Sequence, residues 1–495
     1  MLGYVTLVGA VAAVVAPLLS GGAARSDVVD PTVIGLAVGV VAMAALARAR
    51  AARVVAVCGA VAVAGGCGWL LAVDLGTGLA GPRVPVLAAG ALVVAVGAAW
   101  SAARRSGPEQ AGSGRSGSGR VGLVRVVAAV VAVGVVVVAP VVAEGAVVRS
   151  SPREARGFDA PAVVERPGGG QWAWQPGAAV VGVVSAGHGV VVALADGSVV
   201  ALSGSDGRED WRYGRRGAQV GALAASVDRR TVVATFRTGR DTRRHLMVVF
   251  DADTGRVRFE RLVRAVTAEV DDIVPGTRTL ALPEGAGLTG YDLVTGERRW
   301  RWSPSDGCAA PYVRAVRGRS TAFAVEECAD RLVVVALDEV TGERRWEHRV
   351  PLAGSGGERR DVHLKGTPDG SAVSVRVVTA DVAPGAVTDG VFDADTGALS
   401  ARPARESPPD DPACAGRRTQ VTTATTYLRV CDDNGRELTV VTQGLDGSAV
   451  TRTPVRLDGS GSPAQVHLVP APGAVVVARS AFGGTPAPVV GLTGP

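Results

Sequence analysis

One ten-residue segment is written into this chain more than once, and it encodes a hairpin wherever it occurs. Tyr291-Asp292-Leu293-Val294-Thr295-Gly296-Glu297-Arg298-Arg299-Trp300 is nearly repeated as Leu337-Asp338-Glu339-Val340-Thr341-Gly342-Glu343-Arg344-Arg345-Trp346. Variants are Phe250-Asp251-Ala252-Asp253-Thr254-Gly255, with Phe259 downstream, and Phe392-Asp393-Ala394-Asp395-Thr396-Gly397. In each, an apolar strand runs into an Asp whose carboxylate can accept a backbone hydrogen bond two residues on. The Gly takes the left-handed conformation that closes a type I turn with a bulge. The next strand opens on charged residues and carries an aromatic four positions beyond the Gly: Trp211, Phe259, Trp300 or Trp346. These aromatics are expected to wedge between neighbouring sheets. Asp251-Ala252-Asp253 begins like a calcium loop, but Gly255 stands at position five and Leu262 at position twelve. The ligand set fails, and the aspartates read as turn formers.

The spacing of these turns sets the architecture. Turn glycines fall at 207, 255, 296, 342, 397, 447 and 494. Repeats of about 40–50 residues holding four short strands are those of a propeller. Seven turns predict seven blades over residues 171–495. The last of these glycines stands next to Pro495, so the seventh blade lacks a fourth strand. Gln171-Trp172-Ala173-Trp174 has the Trp-x-Trp spacing of Trp300-Arg301-Trp302. It is expected to pair with Val489-Val490 and close the ring, which removes both free edges. Residues 149–170, rich in Pro, Gly and charge, read as a linker.

The Asp-x-x-Thr-Gly-x-x-x-Trp copies resemble the repeat of quinoprotein-like (PQQ-like) β-propellers. That superfamily includes pyrroloquinoline-quinone dehydrogenases and the propeller lipoprotein of outer-membrane barrel assembly. The resemblance covers residues 171–495 and is strongest in the copies ending at Trp300 and Trp346. It implies a fold, and chemistry has to be argued from sites. The enzyme it implies is a quinoprotein dehydrogenase with a PQQ-like cofactor. Such members typically have eight blades, a disulfide between adjacent cysteines over the cofactor, and calcium held by carboxylates and an Asn. Here there are seven turns and no adjacent cysteines, and the sole asparagine, Asn434, sits in a hairpin signal, Asp432-Asp433-Asn434-Gly435. No catalytic, cofactor-binding or metal residue carries over. The five histidines are scattered, with no pair at metal-ligand spacing. The expectation is a protein that is not an enzyme and needs no cofactor.

Residues 1–148 read differently. Five apolar stretches, Gly3–Ser20, Pro31–Ala47, Val54–Val73, Val84–Trp100 and Val121–Ala143, each lie near the ~20 residues that span a bilayer. The expected fold class is therefore an N-terminal α-helical transmembrane bundle of five spans followed by an all-β propeller of seven blades. Arg48, Arg50 and Arg53, and Arg104, Arg105, Arg115, Arg120 and Arg125, fill two of the intervening loops. By the positive-inside rule these face the cytoplasm. The expectation is a multi-pass plasma-membrane protein with a cytoplasmic N-terminus and an extracytoplasmic C-terminal domain. The first stretch lacks a basic n-region and reads as a retained helix rather than a signal peptide. Small residues such as Gly35 and Gly39 would let helices approach. Residues 1–150 hold eleven arginines against five acidic residues, so the net charge of +6 resides there and the remainder is neutral. A neutral second half gives no nucleic-acid footprint.

Within a blade, tight connections such as Asp228-Arg229-Arg230, Arg317-Gly318-Arg319 and Pro368-Asp369-Gly370 share one face with the Thr-Gly turns. Longer loops gather on the other, at 238–245, 351–361, 380–390, 402–413 and 482–488. Function tends to sit on loops held by a rigid frame. The looped face, with Arg359, Arg360, Asp410 and Asp411, is thus the expected binding face. Its mixed charge favours a protein over a polyanion. The expected partners are an envelope or membrane protein, a peptide or a cell-wall component, with the bilayer engaged through the five helices. Cys308 and Cys414 each precede a first strand, and Cys328 and Cys431 each end a second strand. Antiparallel pairing brings those ends together, which predicts Cys308–Cys328 and Cys414–Cys431 disulfides and an oxidising compartment.

Overall fold

The computed structural model describes the chain apart from residues 1–2, 17–30, 47–49, 78–82, 104–137, 140–141, 144, 158–160, 239–240, 265–272, 285, 310–315, 353–360, 368, 379–387, 402–418, 424, 434–436, 445–449, 458–465, 481–485 and 495. It divides into two compact units, Met1–Arg149 with Arg215–Ala218, and Ser150–Gly214 with Gln219–Pro495.

The first unit is helical: α1 (Gly3–Val15), α2 (Pro31–Leu46), α3 (Arg50–Thr77) and α4 (Arg83–Ala103), with further helical turns between 138 and 147. Among the described residues no helix is long and apolar enough to cross a membrane. This overturns the five-span bundle and the multi-pass plasma-membrane placement and leaves the bilayer as a partner through five helices without support; most of the fifth stretch lies outside the described residues. At a rise of ~1.5 Å per residue, α1 with 13 residues and α2 with 16 fall short of a hydrocarbon core ~30 Å thick. No described part of α3 or α4 combines the length with the apolarity. The apolar faces pack on each other instead. Ala13, Ala16, Val41, Ala60, Ala91 and Val94 form the core of this unit. α1 and α4 cross at Gly9 and Gly90, where a Cβ on Gly9 would lie 2.7 Å from the Gly90 carbonyl oxygen. The small-residue approach is therefore there, and not at Gly39, which has open space around it.

Among the described residues the second unit is built from seven antiparallel sheets. Blade 1 is Val180–Ala186, Gly189–Leu194, Ser198–Ser203 and Glu209–Arg215, extended at its outer edge by Val148–Ser151. Blade 2 is Gln219–Ala225, Thr231–Thr238, Asp241–Asp251 and Val257–Arg264. Blade 3 is Val274–Pro275, Thr279–Glu284, Gly287–Asp292 and Arg298–Trp302, and blade 4 is Val316–Arg317, Thr321–Glu327, Arg331–Asp338 and Arg344–Pro351. Blade 5 is Asp361–Gly366, Ala372–Val378, Asp389–Asp393 and Leu399–Ala401, and blade 6 is Thr419–Thr422, Thr426–Asp433, Glu437–Gly444 and Thr451–Val455. Blade 7 takes Val466–Ala471, Ala474–Arg479 and Val489–Thr493 from the end of the chain, and its fourth strand is Gln171–Trp174. Ala173 faces Val490 and Trp174 faces Val489, the pairing expected to close the ring.

The repeated turn forms as its residues require. Asp292 Oδ1 accepts from the amides of Val294 (2.7 Å) and Thr295 (2.9 Å), and Asp338 repeats this with Val340 (2.8 Å) and Thr341 (2.9 Å). Gly255, Gly296, Gly342 and Gly397 have φ of 71–72°. The pairing shifts by a bulge immediately before the Asp-containing turn, as between Gly290 and Tyr291. The second Arg after the Gly clasps the turn aspartate: Arg299 on Asp292, and Arg345 on Asp338 at 2.6 Å. Burial works to raise the carboxyls of Asp292 and Asp338, but these amides and guanidinium groups outweigh it and hold both below the usual range.

Where an aromatic stands four positions on, it locks its blade to the next. Trp211 Nε1 donates to the Ala252 carbonyl (2.9 Å), Trp300 Nε1 to that of Glu339 (2.8 Å) and Trp346 Nε1 to that of Ala394 (3.1 Å). Trp172, on the closing strand, donates to the Gly204 carbonyl (2.7 Å), so the same lock joins blade 7 to blade 1. Each ring lies flat on the turn glycine of its neighbour. A Cβ on Gly342 would come within 2.7 Å of Trp300, and one on Gly397 within 2.7 Å of Trp346. Phe259 sits likewise on Gly296 but has no N–H to give, and Arg261 Nη1 donates to the Gly296 carbonyl instead (3.1 Å).

Candidate functional site

The turns that join first to second strands are unlike one another in sequence, yet all seven sheets bring them to one cavity of about 360 Å³. Ser185 comes from blade 1, Ser226 to Arg229 from blade 2, Thr277 from blade 3, Arg319 from blade 4, Asp369 from blade 5, Thr423 from blade 6 and Pro470 from blade 7. Val163 and Glu165, from the segment before the closing strand, complete the wall. That segment is fixed across blades 6 and 7. Val164 N donates to the Ala471 carbonyl (3.0 Å) and Thr426 Oγ1 to the Glu165 carbonyl (3.1 Å).

Neighbouring turns brace one another around the cavity. Gly187 N donates to the Arg229 carbonyl (2.9 Å), and Arg319 N to the Gly370 carbonyl (2.7 Å). Thr277 N donates to Glu339 Oε2 (2.8 Å). Burial pushes the Glu339 carboxyl above its ordinary value, although Thr277 hydrogen bonds pull the other way.

The carboxylates of the wall are engaged within the protein. Asp228 Oδ1 accepts from Ser226 Oγ (2.6 Å) and from the Arg230 amide (3.1 Å). Asp369 accepts from Ser371 Oγ (2.9 Å) and from Arg319 Nη2 (3.3 Å). Burial acts to raise the Asp369 carboxyl, but bonds from Thr367, Ser371 and Arg319 hold it low. Glu165 accepts from the Thr425 amide (3.2 Å) and the Thr425 hydroxyl. The cationic side of the wall is different. Arg229 Nε and Ser185 Oγ are buried and have no hydrogen-bond partner among the described residues. Burial pushes the Arg229 guanidinium below its ordinary value, against the pull of Asp228.

The residues expected to form the binding face, Arg359, Arg360, Asp410 and Asp411, lie outside the described residues. The cavity is on the opposite face, the one with the tight turns. The sequence shows Asp228-Arg229-Arg230 as a turn and nothing more. The structure singles out Arg229, whose φ of 61° is the left-handed conformation that non-glycine residues seldom adopt and that its sequence does not announce.

Cys308 and Cys328 form a disulfide. Cys431 is also disulfide-bonded, while Cys414 lies outside the described residues. Cys308, Glu326 and Cys328 group closely enough to suggest a metal site, but both sulfurs are committed to the disulfide. Glu326 is itself engaged, accepting from Arg344 Nη2 (2.7 Å). His467 Nε2 lies 2.7 Å from Ser480 Oγ, and burial pushes the imidazole below its usual value.

A family model described as outer membrane protein assembly factor BamB matches residues 216–437. Among solved structures, the crystal structure of BamB from Moraxella catarrhalis is similar at 15% identity, covering 65% of this chain and 99% of that one with a TM-score of 0.38. No curated protein sequence matches the chain. The family match and the seven sheets together support a PQQ-like propeller domain.

Proposed function

We propose that this chain is a non-catalytic propeller that binds an envelope protein, through a peptide segment of it, on the face where the tight turns converge. The observation that carries this reading is the cavity itself. Seven sheets contribute to one concavity whose wall mixes Arg229 and Arg319 with Glu165, Asp228 and Asp369. Mixed charge suits a protein partner better than a polyanionic polymer. The description of the matching family, an outer membrane protein assembly factor, supports a partner in the envelope. The Cys308–Cys328 disulfide fits an oxidising compartment such as the envelope.

Photo-crosslinking separates the two faces. A photoreactive residue at Arg278, beside the cavity, should yield a discrete adduct with an envelope protein. One at exposed Asp330, in the turn between the second and third strands of blade 4, should not. An adduct from Asp330 alone would move the site to the looped face, and equal labelling from both would contradict a face-specific partner.

A further inference from the structure

Blades 2 and 5 place an Asp-capped turn at the same point, and they differ at its left-handed position. Ser226-Val227-Asp228-Arg229-Arg230 and Thr367-Pro368-Asp369-Gly370-Ser371 align residue for residue. Arg229 N donates to the Ser226 carbonyl (2.9 Å) and Gly370 N to the Thr367 carbonyl (2.9 Å). Asp228 and Asp369 each cap the turn through their own carboxylates. At the left-handed position blade 5 has glycine with φ of 67°, and blade 2 has arginine with φ of 61°. An L-residue there costs about 1–2 kcal/mol. The side chain obtained for that cost lines the cavity, with its Nε buried and unpartnered.

A second orphan shares the wall. Ser185 Oγ is buried without a partner and comes from the strand that leads into Gly187, whose amide bonds the Arg229 carbonyl. A buried polar atom left unpaired in a folded protein calls for an explanation. Here the unpaired atoms are a guanidinium donor and a hydroxyl, whereas the three wall carboxylates are already held by the protein. The missing complement is therefore an acceptor that carries negative charge.

We propose that the cavity is a carboxylate-reading site, in which Arg229 Nε and Ser185 Oγ donate to one carboxylate of the ligand. The ligand's source, a peptide terminus, rests on the peptide-binding reading above. The carboxylate itself does not. The cavity volume of about 360 Å³ accommodates a short chain end rather than a folded element.

The test is calorimetric titration of the full chain with three probes at millimolar concentration. These are an acetylated Ala-Gly pentapeptide with a free C-terminal carboxylate, the same peptide as its amide, and glutarate. Arg229→Asn removes the charge while keeping a residue that tolerates the left-handed conformation. Ser185→Ala is the second variant, and the thermal midpoint of each reports that it is folded. The free-acid peptide is expected to bind, with amidation or Arg229→Asn weakening it roughly tenfold to hundredfold and Ser185→Ala weakening it less. Glutarate binding that Arg229→Asn abolishes, with no peptide binding, upholds the carboxylate site and overturns its peptide source. Acid and amide binding alike, or both variants binding as the wild type does, overturns the carboxylate site and leaves the peptide reading intact. If no probe binds the wild type, the carboxylate site is overturned, and the crosslinking at Arg278 decides the peptide reading separately.

Discussion

Two arcs of the ring are held together by different means. From blade 7 through blade 1 to blade 5, every seam has an aromatic ring lying on the next blade's turn glycine: Trp172, Trp211, Phe259, Trp300 and Trp346 in turn. Around blade 6 the sequence supplies no aromatic for that device. The matching positions are Ala401 in blade 5 and Thr451 in blade 6. There the blade 6–7 seam relies on aliphatic packing, Leu428, Val430 and Val440 against Leu468, Val475 and Val477. The segment through Val164 and Glu165 crosses it as a strap. An indole on a glycine turn contributes burial and one directed hydrogen bond at a fixed register. Aliphatic side chains contribute burial alone, so that arc needs a strap to set its register.

The largest effect should come from breaking closure. Deleting Gln171–Trp174 removes the last strand of blade 7 and the Trp172 lock together, and should abolish cooperative unfolding of the propeller in calorimetry. A deletion mutant that melts as the wild type does would show that the ring closes by other means. Next, Trp300→Ala should cost about 3–5 kcal/mol in denaturant titration. Thr451→Ala, at the equivalent but exposed position of blade 6, should fall within about 0.5 kcal/mol. Equal costs would erase the distinction between the arcs. Gly342→Ala attacks the same seam from the other side. Its Cβ would meet Trp300 at 2.7 Å from a backbone with φ of 72°, so a loss of more than about 1 kcal/mol is expected. Cys308→Ser with Cys328→Ser opens a 20-residue loop within blade 4 and should cost roughly 3 kcal/mol.

The smallest expected effect is on pH dependence. Asp292, Asp338 and Asp393 have folded-state values below their ordinary ones. For Asp393 the Thr396 hydroxyl and amide are the leading cause. A depressed carboxylate contributes stability that is present above its unfolded value and is lost as pH falls through the folded one. The wedged arc should therefore weaken below about pH 4. Asp292→Asn with Asp338→Asn should flatten that acid limb of the stability profile, and an unchanged limb would place the acid sensitivity elsewhere.

The ring and its closure were legible in the sequence because each copy of the turn carries its own chemistry. An Asp, a Gly and an aromatic at fixed spacing specify a cap, a left-handed residue and a wedge. Gly494 shows where spacing alone misleads. It follows the third strand of blade 7, and its φ is not left-handed, because the next strand comes from the other end of the ring. The cavity was not legible. Its walls are single residues from seven turns with no common motif, brought together only when the ring closes. The apolar stretches of the first 148 residues misled for a related reason. Ala, Gly and Val runs suit close helix packing as well as lipid, and composition does not separate the two.

Hydrogen exchange on the full chain, read amide by amide across the seven sheets, tests the contrast between the arcs most directly. Under native conditions the amides of blade 6, such as those of Leu428, Val430 and Val440, should exchange through an opening of lower free energy than those of Val233, Val249, Val335 and Ala336 in blades 2 and 4. Blade 6 protected as strongly as blades 2 and 4, or blade 4 opening first, would contradict the claim that aromatic wedges on turn glycines set where this ring is strong.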